Sequence, residues 1–255
     1  MDLKPTPPPS SDRLAPVAAR PTGDTGDDDT AFVDSDDPDA QRLTDALQTG
    51  DVAALTTLLA ERPELARAHF GDATMSRTAL HVATDWPGHL PRVGESIAAL
   101  IAAGADPNAR FAGGHIETPL HWAASSDDVE AVDALVTAGA DLEADGAVLT
   151  GGTPLADAVV FAQWRAARRL LEHGSSTTLW QAAALGLIDA VRTALDDTPD
   201  LPSDELDAAL WHACRGGSRA IADLLLARGA DPRRVLWDGR TAIDAAHDHA
   251  LTAAH

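Results

Sequence analysis

Three stretches of this chain open alike: Thr78-Ala79-Leu80-His81, Thr118-Pro119-Leu120-His121 and Thr153-Pro154-Leu155. The first two also close alike, on Gly104-Ala105-Asp106 and Gly139-Ala140-Asp141. Openings that recur 40 and 35 residues apart restrict the fold to an array of similar pieces. In the central copy Thr118 can cap a helix that starts at Pro119, a residue suited to a first turn because its missing N–H would be unpaired there anyway. Leu120, Ala123 and Ala124 give that helix a small apolar face. Val129, Val132, Leu135 and Val136 recur at three- and four-residue spacing on a second helix, and Gly139 ends it. One such pair cannot bury its own apolar face, so it needs copies of itself on either side.

Residues 118–144 resemble one ankyrin repeat almost letter for letter, from the Thr-Pro-Leu-His-Trp-Ala-Ala opening to the Gly-Ala-Asp ending. The resemblance implies an all-α ankyrin-repeat solenoid of stacked helix pairs with short projecting hairpins, acting as a binding module and catalysing nothing. It also implies that His81 and His121 tie each helix start to the neighbouring hairpin, and that the wall formed by the first helices and the hairpins faces the partner.

Along the chain, residues 1–37 are Pro-rich and then Asp-rich and lack the apolar surface that would offset ordering entropy, so a disordered arm is expected there. Residues 38–255 are expected to form the repeat domain, about five full repeats and a truncated C-terminal cap. The copy that opens at Thr78 carries extra residues in 85–95, where Pro87 and Gly88 favour a loop over a longer helix. From Thr153 to Thr177, where the next copy begins, the spacing shrinks, and the residues lost are those of a projecting hairpin. Trp180 and Trp211 stand where the motif has His, and Gly113-Gly114 and Gly151-Gly152 are placed at hairpin tips that need positive φ.

The formal charge of −21 includes ten Asp against one Lys and two Arg within residues 1–39, and the rest of the excess lies in the repeats. Such a field repels phosphate backbones and favours a basic protein partner, so nucleic acid is not expected. Lys4 is the only lysine and tyrosine is absent, a bias that reads as the codon usage of a GC-rich bacterium; the likeness is to bacterial, actinomycete-like ankyrin proteins. One cysteine, Cys214, allows no internal disulfide, and no apolar run suits a signal peptide or membrane span, so a cytoplasmic monomer is expected.

No phosphate loop, nucleotide turn or nucleophile motif occurs, and no cofactor, metal or catalytic residue is expected. His81, Asp85 and His89 have a metal-like rhythm, but Pro87 and Gly88 break the helix that would align them. The expected partner-binding residues are Trp86, His89, Phe111, His115, Glu117, Trp122, Phe161 and Trp237, with Val160, Leu185, Asp157, His212 and Arg215 beside them. Grouped exposed aromatics mark binding surfaces. A second reading places a small-molecule or hydrolytic pocket between loop 85–95 and the first two hairpins, with His89, His115 and Glu117 as polar groups and Trp86 and Trp122 as walls.

Overall fold

The computed structural model describes residues 32–34 and 36–252. The expected disorder of the arm falls largely outside those residues. Its last part does not: Phe32–Val33 forms a short strand, β1, pairing in parallel with His69–Gly71 (β2), which in turn pairs antiparallel with Ser76–Thr78 (β3). The edge of β2 offered unpaired backbone groups, and the Phe32-Val33 dipeptide meets them.

Helices follow in pairs: Pro38–Thr49 and Val52–Glu61 (α1, α2), Ala79–Thr84 and Val93–Ala102 (α3, α4), Pro119–Ser125 and Val129–Thr137 (α5, α6). Then come Pro154–Val160 and Trp164–Glu172 (α7, α8), Leu179–Ala184 and Ile188–Asp197 (α9, α10), and Ser203–Arg215 and Arg219–Ala227 (α11, α12), before a single helix Ala242–Thr252 (α13). The described residues therefore hold six pairs and a lone last helix, where the sequence count gave about five and a cap. The α9–α10 pair is the copy that opens at Thr177, and it has no hairpin of its own before it.

The first helices start for the reasons the sequence suggests. Thr118 and Thr78 sit at extended N-cap geometry, and each takes part in a capping box with the His three residues on. In α9 the same box is made by Thr178 and Gln181, whose side-chain oxygen accepts from Thr178 N at 2.8 Å. The helix starts one residue later than its neighbours, so Gln181 takes over the role that the sequence alignment had assigned to Trp180. Of the four glycines placed at hairpin tips, Gly151 alone has a positive φ, 68°.

Each first helix packs on the next, α3 on α5, α5 on α7, α7 on α9, α9 on α11 and α11 on α13, with α2, α4, α6 and α8 stacked behind. Close approach is possible because the facing residues are small: Ala79, Ala83, Ala123, Ala124, Ala158, Ala183 and Ala213 are fully buried. Leucines fill the space between layers, Leu80, Leu120 and Leu155 at the equivalent site of three successive copies. Two buried clusters result, one running from α1 to α8 and taking in Ala184 of α9, and one from the rest of α9 to α13. They part where the hairpin is missing; there Ser176 instead donates through N and Oγ to the Glu143 carboxylate, at 2.8 and 2.7 Å. No helix among the described residues is long and apolar enough to cross a membrane.

Candidate functional site

Three projecting fingers stand in a row beside the first helices. The β2–β3 hairpin is the first, residues 111–117 the second, closed by Phe111 N donating to Glu117 O at 2.8 Å, and residues 146–152 the third, closed by Gly146 N to Gly151 O at 3.1 Å. Ser76 and Ala112 exchange both backbone hydrogen bonds, at 2.8 and 2.9 Å, which joins the first finger to the second. The motif histidines complete the frame. His81 Nδ1 accepts from Thr78 N at 3.3 Å, and its Nε2 donates across to Glu117 O at 3.1 Å. His121 repeats this one copy later, to Thr118 N at 3.1 Å and Gly152 O at 3.2 Å. Burial pushes His81 down to about 3 and His121 to about 4, so both are neutral at pH 7.

An aromatic cluster is built on this frame. The rings of Phe111 and His115 stack at 4.4 Å with 17° between planes, and Trp122 on α5 lies 5.6 Å from Phe111 and 6.5 Å from His115. His81 meets the Trp122 ring edge-on at 5.0 Å. These ring contacts leave Phe111, His115 and Trp122 half-buried and fixed in place before any partner arrives.

Glu117 was expected on the surface and is buried. The correction has a structural cause: one carboxylate oxygen accepts from Val148 N at 2.7 Å, linking the second finger to the third, and the other lies 3.1 Å from His115 Nδ1. Asp157 on α7 is buried completely, and neither of its oxygens meets a donor. Burial first, then the charge and hydrogen bond of Glu117, push Asp157 up to about 9. It therefore keeps its proton at pH 7 and donates it to the Glu117 carboxylate, since two anions side by side in a dry site are prohibitive. Val160, also expected in the groove, is buried against the core.

Phe111 and Trp122 form one wall of a cavity of about 630 Å³. Phe70 and Met75 continue its apolar lining, and Asp34 and Asp72 bring carboxylates to it. Met75 is 65% exposed, a thioether held out at the hairpin turn. The sequence reading missed Phe70, Met75 and Asp72 because the residues ahead of Thr78 carry no repeat letters; the short runs His69–Gly71 and Ser76–Thr78 around an Asp-Ala-Thr turn were the available signal.

The other predicted residues lie elsewhere. Loop 85–92 sits at the far end of α3, about 9 Å along a six-residue helix. His89 N donates to Asp128 Oδ2 at 2.6 Å, which holds the loop on the α5–α6 turn and away from His115 and Glu117. The small-molecule pocket that needed His89, His115 and Glu117 to converge is thus not assembled. Nor do His81, Asp85 and His89 meet: Asp85 pairs with Arg77 at 2.6 Å. Trp86 stands 76% exposed on that loop, Phe161 caps the end of α7, and Trp237 belongs to the hairpin before α13, 6.1 Å from Trp211. Cys214 is half-buried, and burial raises its thiol above the usual range, so it is a poor nucleophile.

No curated protein sequence matches the chain. Among solved structures it is similar to the human ASB11 ankyrin repeat domain, with 23% identity over 82% of this chain and 96% of that one and a TM-score of 0.48. The family model for ankyrin repeats, in three copies, matches residues 92–179. That span runs from the start of α4 to the start of α9 and includes the second and third fingers, and over it the chain matches ankyrin repeats.

Proposed function

We propose that the chain is a non-enzymatic protein-recognition module that takes a basic segment of a partner against the wall formed by the first two fingers and α5. Ankyrin repeats are in general protein–protein interaction modules, and the chain carries them. The observation that carries the reading is the cavity of about 630 Å³ in which Phe111, Trp122 and Met75 meet Asp34 and Asp72. Apolar anchors beside carboxylates suit a partner segment that mixes aliphatic and Lys or Arg side chains. Because Phe111, His115 and Trp122 already hold one another, little side-chain entropy is lost on binding. The charge of −21 steers such a partner toward the protein. Trp86 and Phe161, exposed at the other end of the first helices, would extend the contact. A monomer in the bacterial cytoplasm is the setting this reading assumes.

Affinity purification from the source cells, quantified by mass spectrometry, tests it. A Phe111→Ala plus Trp122→Ala chain is expected to lose the wild-type partner by about tenfold or more, the scale of one or two buried aromatic anchors. Recovery by the wild type is expected to fall as salt rises from 0.05 to about 0.5 M, because screening removes the steering field. Equal recovery by both chains at every salt concentration would exclude this wall as the site.

A further inference from the structure

A second cavity, of about 420 Å³, lies away from the first two fingers, where the end of α11 meets α13 and the start of α8. Three tryptophans line it, Trp164, Trp211 and Trp237. Trp211 is almost wholly buried and Trp237 is 67% exposed, so the aromatic wall runs from floor to mouth.

Arg215 lines the same cavity; Arg67, Arg168, Arg233 and Arg234 also form no ion pair among the described residues, but they are exposed, whereas Arg215 is partly buried. Its guanidinium lies 5.4 Å from the Trp211 ring centre, and Nη1 donates to Val159 O at 3.2 Å. A guanidinium has five N–H donors, and among the described residues no carboxylate forms an ion pair with this one. By contrast, Arg42, Arg62, Arg77, Arg92, Arg110 and Arg169 each pair with an acid. Of the other charges that share the cavity, Arg240 and Asp248 are committed to one another. Asp238 Oδ1 accepts from Arg240 N at 3.1 Å. His249 Nδ1 lies 3.2 Å from the backbone oxygen of Arg215. Burial outweighs the pull of Asp238 and holds Arg215 below the usual arginine range, the mark of a cation short of a counter-ion. A second donor in the same wall is also unmet: Trp211 Nε1–H is buried without an acceptor.

We propose that this cleft binds a carboxylate carried on an aromatic or apolar body, with Arg215 taking the anion and Trp164, Trp211 and Trp237 enclosing the body. An excess of buried donors calls for an acceptor, and a planar carboxylate matches the guanidinium fork where a neutral carbonyl supplies less. The three tryptophans that line the cleft match a flat or bulky apolar group. The carboxylate can belong to a free aromatic acid or to the C-terminus of a peptide.

Titration calorimetry on the full chain at low salt separates these sources and tests the site. The probes are indole-3-acetate against indole-3-acetamide, and acetyl-Gly-Gly-Phe with a free against an amidated C-terminus. At least one carboxylate is expected to bind about tenfold or more tighter than its amide. Binding by the free acid alone identifies a small metabolite, and binding by the peptide alone a chain terminus. Arg215→Met is expected to abolish the preference for acid over amide, Arg215→Lys to restore part of it, and Trp237→Ala, at an exposed position, to weaken acid and amide together. The Phe111→Ala plus Trp122→Ala chain is expected to bind as the wild type. Acid and amide binding alike to the wild type, no heat with either carboxylate, or an Arg215→Met chain that is folded by circular dichroism and keeps the preference would each overturn the proposal.

Discussion

Asp157→Asn is expected to stabilise the fold by about 2 kcal/mol at pH 8 and to change it little at pH 4. Asp157 is buried, without a donor to its oxygens, and is pushed up to about 9. The unfolded chain releases this proton near the ordinary carboxylate value, whereas the folded chain keeps it. Between about pH 4 and 9, unfolding therefore releases a proton, and stability falls as pH rises. Asparagine presents an N–H to Glu117 without a proton to lose, so the variant should escape that slope. Its second N–H has no acceptor in the site, which holds the gain below the full linkage value. The histidines give the opposite limb. His81, His121 and His212 are held by burial at about 3, 4 and 3, so below pH 6.5 the unfolded chain takes up protons that the folded chain refuses. Stability of the wild type should fall as pH drops from 6.5 toward 3, and the asparagine variant should share that acid limb. Urea unfolding at pH 4, 6 and 8 checks both; a difference between the two chains that does not grow with pH would show that Asp157 does not hold its proton.

Leu120→Ala is expected to destabilise by about 2–5 kcal/mol, enough to unfold a marginal domain. Leu120 is fully buried on α5, which packs against α3 on one side and α7 on the other. A cavity there weakens two interfaces at once, and in a linear array each copy is stable only through its neighbours. Leu226→Ala, at a residue 41% exposed on α12, serves as the comparison and should change stability by about 0.5 kcal/mol or less. A small, equal shift in the urea midpoint for both would show that the copies do not depend on one another.

What could be read in the sequence was what is decided locally. Thr118 and Pro119 start a helix, Gly139 ends one, and His121 finds its partners three residues back and one finger on; all of these follow from a motif and its spacing. The missing finger between α8 and α9 was likewise visible as a short interval. The rest depends on contacts between copies. Asp157 occupies the position that Trp122 has in its own helix, four residues after the N-cap, and the same place is half-open in one copy and sealed in the next. Whether a carboxylate there meets water depends on the Glu117 finger, 40 residues earlier. The β1 strand depends on an edge that β2 supplies, and Arg215 gains its meaning from Trp237 and Val159, neither of which any motif places beside it. Loop 85–92 was recognised as a loop, but its anchor on Asp128 lies in the following copy, so its distance from the fingers could not be seen.

Hydrogen–deuterium exchange of the chain with and without its purified partner tests the binding wall most directly. The account predicts slowed exchange in residues 69–78 and 109–122, which carry Met75, Phe111 and Trp122, with residues 219–227 on α12 unchanged. Protection confined to α12 or to the outer helices α4, α6 and α8, with the first two fingers exchanging as in the free chain, would contradict it.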